Sequence, residues 1–211
     1  MAREPLCNLL TDRLPSELTV CGRRYPVYTD FRRWILVVEL FAEPLVYGSV
    51  KVECAVKLIF PRDNPLQHTL SVTDGGTAED TVKAYRELVR AITGFTSCGR
   101  GGVRGGTDGR ETLPRSEPVF DFTQDAERIY AAFLQTYGID LCDPSVRLHF
   151  WKFMALLRNL PRDTEFMQTV NLRMTDTTKI ENDELRRRVR RAKANVRIRE
   201  SGEEKRGYYY G

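Results

Sequence analysis

Between Val119 and Pro161 the chain gathers eight of its 21 aromatic residues among Ile, Leu, Met and Ala: VFDFTQDAERIYAAFLQTYGIDLCDPSVRLHFWKFMALLRNLP. A stretch this apolar is committed to burial, since each large side chain gains roughly 1.5–3 kcal/mol on leaving water. Its punctuation divides it into two helices. Thr123 is placed to open the first and Gly138 to close it; Asp143-Pro144 is placed to open the second, and Pro161 follows its end. At helical spacing Ile129, Tyr130, Phe133, Leu134 and Tyr137 share one face of the first helix. Phe150, Trp151, Met154 and Leu157, with Phe153 nearby, share one face of the second. The block therefore predicts two amphipathic helices within a mainly α fold.

The rest of the chain reads as a helical bundle with a short N-terminal β-hairpin and a long Gly-rich loop. Glu17 to Val20 and Arg24 to Tyr28 read as strands joined by a turn at Cys21 to Arg23, with the hairpin ending near residue 28. Thr29-Asp30 offers an N-cap to a helix carrying Phe31, Trp34, Ile35, Val38 and Phe41 on one face and ending at Pro44. Ser49 is placed to cap a helix through Phe60 that buries Val50, Cys54 and Leu58, with Val52 and Ile59 as further candidates; its Val/Lys alternation also allows a strand. Thr77-x-x-Asp80 resembles a capping box, and Val82, Tyr85, Leu88, Val89 and Ile92 then line a helix that ends near Gly94. Seven glycines between Gly94 and Gly109, with few apolar residues, predict a mobile loop over 97–118, because burial there cannot offset the entropy of ordering. That loop lacks the Lys-Ser/Thr ending of a phosphate cradle. Asp163 is placed to cap a helix bearing Phe166, Met167 and Val170. Residues 1–180 are expected to form one domain, followed at 181–211 by a charged helix (Glu181 to Arg199) and a flexible tail.

Composition narrows the classes of function. A 41% hydrophobic and 29% charged chain is ordinary for a globular protein, and no apolar run approaches the roughly 20 residues of a membrane span. The start, MAREPLCNLL, lacks the apolar stretch of a signal peptide, so a cytoplasmic protein is expected. Five scattered cysteines without a CxxC pair, beside only His68 and His149, give no zinc pattern and read as free thiols. His149 on a packed helix reads as a hydrogen-bonded core histidine, since no Ser or Cys stands in a nucleophile setting with it. Asp121, Asp125, Asp140 and Asp143 cluster at helix ends, where capping accounts for them. No enzyme, cofactor or small-molecule substrate is expected.

Two features suit binding. Residues 185–199 carry eight Lys or Arg and no acid against a whole-chain net charge of +4, so the remainder is net acidic. Phosphate neutralisation is one use of such a segment. Yet Arg186, Arg187, Arg188, Arg190 and Arg191 cover most of the helix circumference, which favours a solvated face or contact with an acidic protein. The second feature is the aromatic block, whose Tyr, Trp and Met side chains serve a core or line a groove for a partner helix. The candidate partner-binding residues are Tyr130, Phe133, Tyr137, Trp151 and Met154, with Arg187, Arg190 and Arg191 on the charged helix.

Five segments carry a family resemblance: NLLTDRLP (Asn8 to Pro15), YPVYTDFRRWI (Tyr25 to Ile35), LIFP (Leu58 to Pro61), FDFTQDAERIYAAFLQTYGIDL (Phe120 to Leu141) and LHFWKFMALLRNLP (Leu148 to Pro161). The chain resembles the bacteriophage gene-product-fifteen family of phage and prophage tail-gene clusters. It departs from that pattern at Cys98 to Pro118, where a shorter Lys-rich linker is expected. The resemblance implies a gene just before the tape-measure gene, the place of tail-assembly chaperones. Such proteins bind the long helical tape-measure protein in the host cytoplasm before the tail tube polymerises around it. The implied partners are thus the tape-measure protein and, secondarily, the tail-tube protein; a tail component retained in the virion is the alternative, and nucleic-acid binding through the Arg-rich helix a third. No catalytic residues transfer from the family.

Overall fold

The computed structural model describes residues 8–64, 66, 78–97 and 119–199. The Gly-rich segment from 98 to 118, the tail from 200, His68, Thr77, Cys7 and Cys98 lie outside the described residues. Among those described, the protein is mainly helical, with seven α-helices and one two-stranded antiparallel hairpin. No helix among them is long and apolar enough to cross a membrane. Backbone contacts divide the chain into two compact units. The first comprises Met1–Gly106 and Arg147–Arg158, and the second Thr107–Val146 and Asn159–Gly211.

The first unit begins with β1 (Glu17–Val20) and β2 (Arg23–Pro26), paired so that Val20 lies opposite Arg23. The turn is therefore the two residues Cys21 and Gly22, one residue tighter than the sequence suggests. Both have positive φ, 49° and 74°, as a hairpin turn matching the strand twist requires. Leu18, Val20 and Tyr25 point inward by strand alternation. The Glu87 carboxylate accepts from the Cys21 backbone N–H at 2.6 Å, which fastens the turn to α3 (Ala78–Ser97).

Helix α1 (Phe31–Ala42) is capped by Asp30, whose carboxylate accepts from Arg32 N–H. Phe31, Trp34 and Val37 are buried, while Ile35, Val38 and Phe41 are half-buried, so the inward face is rotated from the predicted one. α2 (Gly48–Ile59) is a helix, with Tyr47 and not Ser49 at its N-cap. It buries Val52, Ala55, Val56 and Ile59; Val50 is exposed, and Cys54 and Leu58 are half-buried. These four share an arc of about 100°, running from Ala55 through Ile59 and Val52 to Val56.

α3 runs through Gly94 to Ser97. Tertiary packing overrides the glycine: Phe95 stacks on Trp34 with ring centroids 3.9 Å apart, and its carbonyl accepts from the Trp151 indole at 2.9 Å. Ala84, Leu88, Ile92 and Phe95 are buried, whereas Val82 is exposed. The unit closes with α5 (Phe150–Arg158), whose start is tied to that of α1 by paired backbone bonds, Phe31 N–H to Leu148 and Phe150 N–H to Thr29.

The second unit contains α4 (Ala126–Tyr137), α6 (Glu165–Met174), a 3₁₀ turn (Thr177–Lys179) and α7 (Asp183–Asn195). α4 starts three residues later than Thr123 suggests, because Asp121 and Asp125 close the preceding turn through Gln124 N–H and Asp121 N–H. Gly138 ends it at φ 64°, in the left-handed conformation that stops helices. Asp143-Pro144 opens no helix; Asp143 accepts from Ser145 N–H in a turn, and α5 begins only at Phe150. α6 is capped by Thr164 in place of Asp163, and buries Phe166, Thr169 and Val170. α6 packs against both α4 and α7.

Candidate partner-binding surface

The structure sorts the candidate residues by depth. Phe133 is fully enclosed, and Trp151 and Met154 are 9% exposed, so all three belong to cores rather than to an open groove. Trp151 stands 5.4 Å from the Phe95 ring and spends its indole N–H on a backbone carbonyl. Tyr130 and Tyr137 are half-buried on α4, and Leu134, between them, is 43% exposed. At 100° per residue these three lie within an arc of about 60°. Ile129, Ala132 and Phe133 occupy the adjoining arc and are buried in the core.

Tyr130, Leu134 and Tyr137 therefore form a stripe at i, i+4 and i+7 along the outer flank of α4. Each ring is fixed. Phe133 meets Tyr137 edge-on at 5.5 Å, and burial raises the Tyr137 phenol above its ordinary pKa. The Asp140 carboxylate beside Tyr130 raises that phenol too, with partial desolvation adding to it and a hydrogen bond between the two groups. Both hydroxyls therefore stay protonated donors at neutral pH, on an otherwise apolar face.

The basic helix is also resolved into faces. Arg186 turns back, donating to the Ile180 carbonyl at 2.8 Å and pairing with Asp183 at 2.8 Å. Lys193 reaches the Thr175 carbonyl at 3.0 Å. With Val189, Ala192 and Val196 they form the body side of α7, all half-buried. Arg187, Arg188, Arg190 and Arg191 are exposed and make no ion pair or hydrogen bond among the described residues. These four occupy one arc of about 160°, not the whole circumference.

Sequence reasoning missed what holds the second unit together. Asp125 is fully buried and receives the Arg173 guanidinium on both carboxylate oxygens, at 2.6 and 2.9 Å. Arg173 also donates to the carbonyls of Val119 and Val196, so one side chain joins the approach to α4, α6 and the end of α7. Arg128 adds a second cation to Asp125 at 3.3 Å and reaches Glu165 at 3.0 Å. The only sequence clue is an acid at a helix start followed by a lone Arg on the short helix at 165–174.

His149 is held as the sequence suggests, by hydrogen bonds. Trp151 N–H donates to Nδ1 at 3.0 Å, which leaves the proton on Nε2 to donate to the Pro15 carbonyl at 2.9 Å. His149 thus caps α5 in the role expected of Asp143. Burial pushes its pKa below the ordinary 6.5, opposed by the Pro15 bond and assisted by Lys152. Because the folded value is the lower one, neutral His149 contributes stability above pH about 6.5, and this is lost as pH falls towards the depressed value. Urea midpoints measured at pH 7.5 and 5.5 are expected to fall, and His149→Gln to flatten that fall; an unchanged slope in the variant would assign the loss elsewhere.

Fold and surface define a small, mainly helical protein whose exposed features are an apolar helical stripe and an arginine face. The family model described as Bacteriophage Gp15 protein matches residues 10–198, and the chain belongs to that family of phage proteins. No curated protein and no solved structure matches the chain.

Proposed function

We propose that this phage protein is a tail-assembly chaperone, acting in the host cytoplasm on the tape-measure protein before the tail tube forms. The observation that carries the reading is the Tyr130–Leu134–Tyr137 stripe. Its i, i+4, i+7 spacing suits the apolar face of a partner helix laid along α4. A tape-measure chain exposes long amphipathic helices, and uncovered apolar patches of that kind associate. Three partly exposed side chains make a small contact, which suits a complex that the tail-tube protein must later replace. The role requires shielding and release, with no chemical step.

Co-expression with the tape-measure protein tests the reading. The native chain is expected to keep its partner soluble and to co-purify with it. Leu134→Lys with Tyr130→Ser is expected to abolish both while leaving the circular dichroism spectrum unchanged, since neither side chain is part of the core. Full solubilisation by the double variant would remove the stripe from the proposal. A stoichiometric amount of this protein in purified virions would instead make it a structural tail component.

A further inference from the structure

We infer that the arginine face of α7 docks in the major groove of B-form duplex DNA, chiefly through phosphates. This is independent of the chaperone reading. Four exposed guanidiniums on one helix have no partner among the described residues, while Arg186 and Lys193 pin the opposite side of α7 to its own unit. The helix is thus presented with a fixed orientation. Its acids lie in the first turn: Asp183 is engaged by Arg186, and Glu184 precedes the arginine face, so contact is confined to the turns that follow.

The width of the face selects the partner. An α-helix is about 10–12 Å across, and the B-DNA major groove about 12 Å wide. Inside it, Arg188 and Arg190, at the two edges of the arc, face the opposed phosphate rows, and Arg187 and Arg191 face the floor. Guanidinium is suited to this work because it binds phosphate with paired, planar donors. An acidic partner helix would meet a narrow seam and leave the edge arginines unused. The deep, narrow major groove of A-form RNA does not admit such a helix.

Fluorescence anisotropy of the full chain with a labelled 20-base-pair duplex of mixed sequence supplies the test. Binding is expected in 50 mM NaCl, weakening about 12-fold by 200 mM, as a salt slope near −0.9 per phosphate gives for the two phosphate-facing arginines. Converting Arg187, Arg188, Arg190 and Arg191 to Gln is expected to abolish it. A charge-matched control (Arg24, Lys57, Arg62 and Arg86 to Gln) should bind within threefold of the native chain. If the quadruple α7 variant loses helicity, Arg188→Gln and Arg190→Gln alone should each lower the slope by about 0.9. No binding in 50 mM NaCl, equal loss in the control, or equal affinity for an RNA duplex would overturn the inference. Binding to polyglutamate without binding to DNA would do so as well, and would assign the face to an acidic protein.

Discussion

Asp125→Ala is expected to lower the unfolding free energy of the second unit by about 3–5 kcal/mol, the cost of leaving a buried cation without its partner. Asp125 is fully enclosed, and Arg173 is 9% exposed, so water cannot take over the lost contacts. Removing the carboxylate strands a guanidinium that already satisfies two carbonyls, Val119 and Val196. Arg173→Ala should be as damaging, because it also frees those carbonyls and detaches the end of α7. The double replacement Asp125→Leu with Arg173→Met is expected to recover much of the loss, since apolar residues of similar volume can replace a buried ion pair. Urea denaturation followed by far-ultraviolet circular dichroism measures all three. A loss below about 1 kcal/mol in the single variants, the range of exposed pairs, would contradict the buried clasp.

Trp151→Ala is expected to cost a similar 3–5 kcal/mol in the first unit. Its indole fills the space beside Phe95, which itself stacks on Trp34, and its N–H satisfies the Phe95 carbonyl. Trp151→Phe separates the two contributions. It keeps most of the ring but orphans that carbonyl, and should cost about 1–3 kcal/mol. Trp34 is the remaining tryptophan, so its emission reports the loosening in both variants. Survival of Trp151→Ala at near-native stability would return this residue to the surface.

The elements themselves were legible, and the reasons are local. Gly138 must adopt positive φ, Asp30 must accept from a helix start, and the Glu17 to Pro26 region carries strand alternation around a Gly turn; each leaves a mark in the sequence. What escaped depended on distant residues. Gly94 looked like a stop because nothing local reveals that Phe95 is needed beside Trp34 and Trp151. Asp143-Pro144 looked like a start because the actual cap, His149, is held by Pro15, far away in the chain.

The partner-binding candidates divide on the same line. Spacing alone puts Ile129, Tyr130, Phe133, Leu134 and Tyr137 on one face of α4, an arc of about 140°. Only packing against α6 distinguishes Ile129 and Phe133, turned inward, from the outer stripe. In α7 the sequence spreads arginines around most of the helix, and the ties of Arg186 to Asp183 and Ile180 leave the other four on one side. Arg173 gave least warning, since a single Arg in a short helix has no pattern.

The return of α5 to the first unit has a consequence for how the chain is made. Residues 107–146 belong to the second unit and are synthesised before α5 emerges. Until then Trp34, Phe95 and Phe31 lack the rings of Phe150, Trp151 and Phe153 that close their core. No single cut separates the protein into two self-sufficient halves, and a nascent chain stopped before residue 150 carries an unfinished aromatic core. The first unit is therefore completed only when residues 147–158 emerge, and the second only after it, with the segment that follows residue 158.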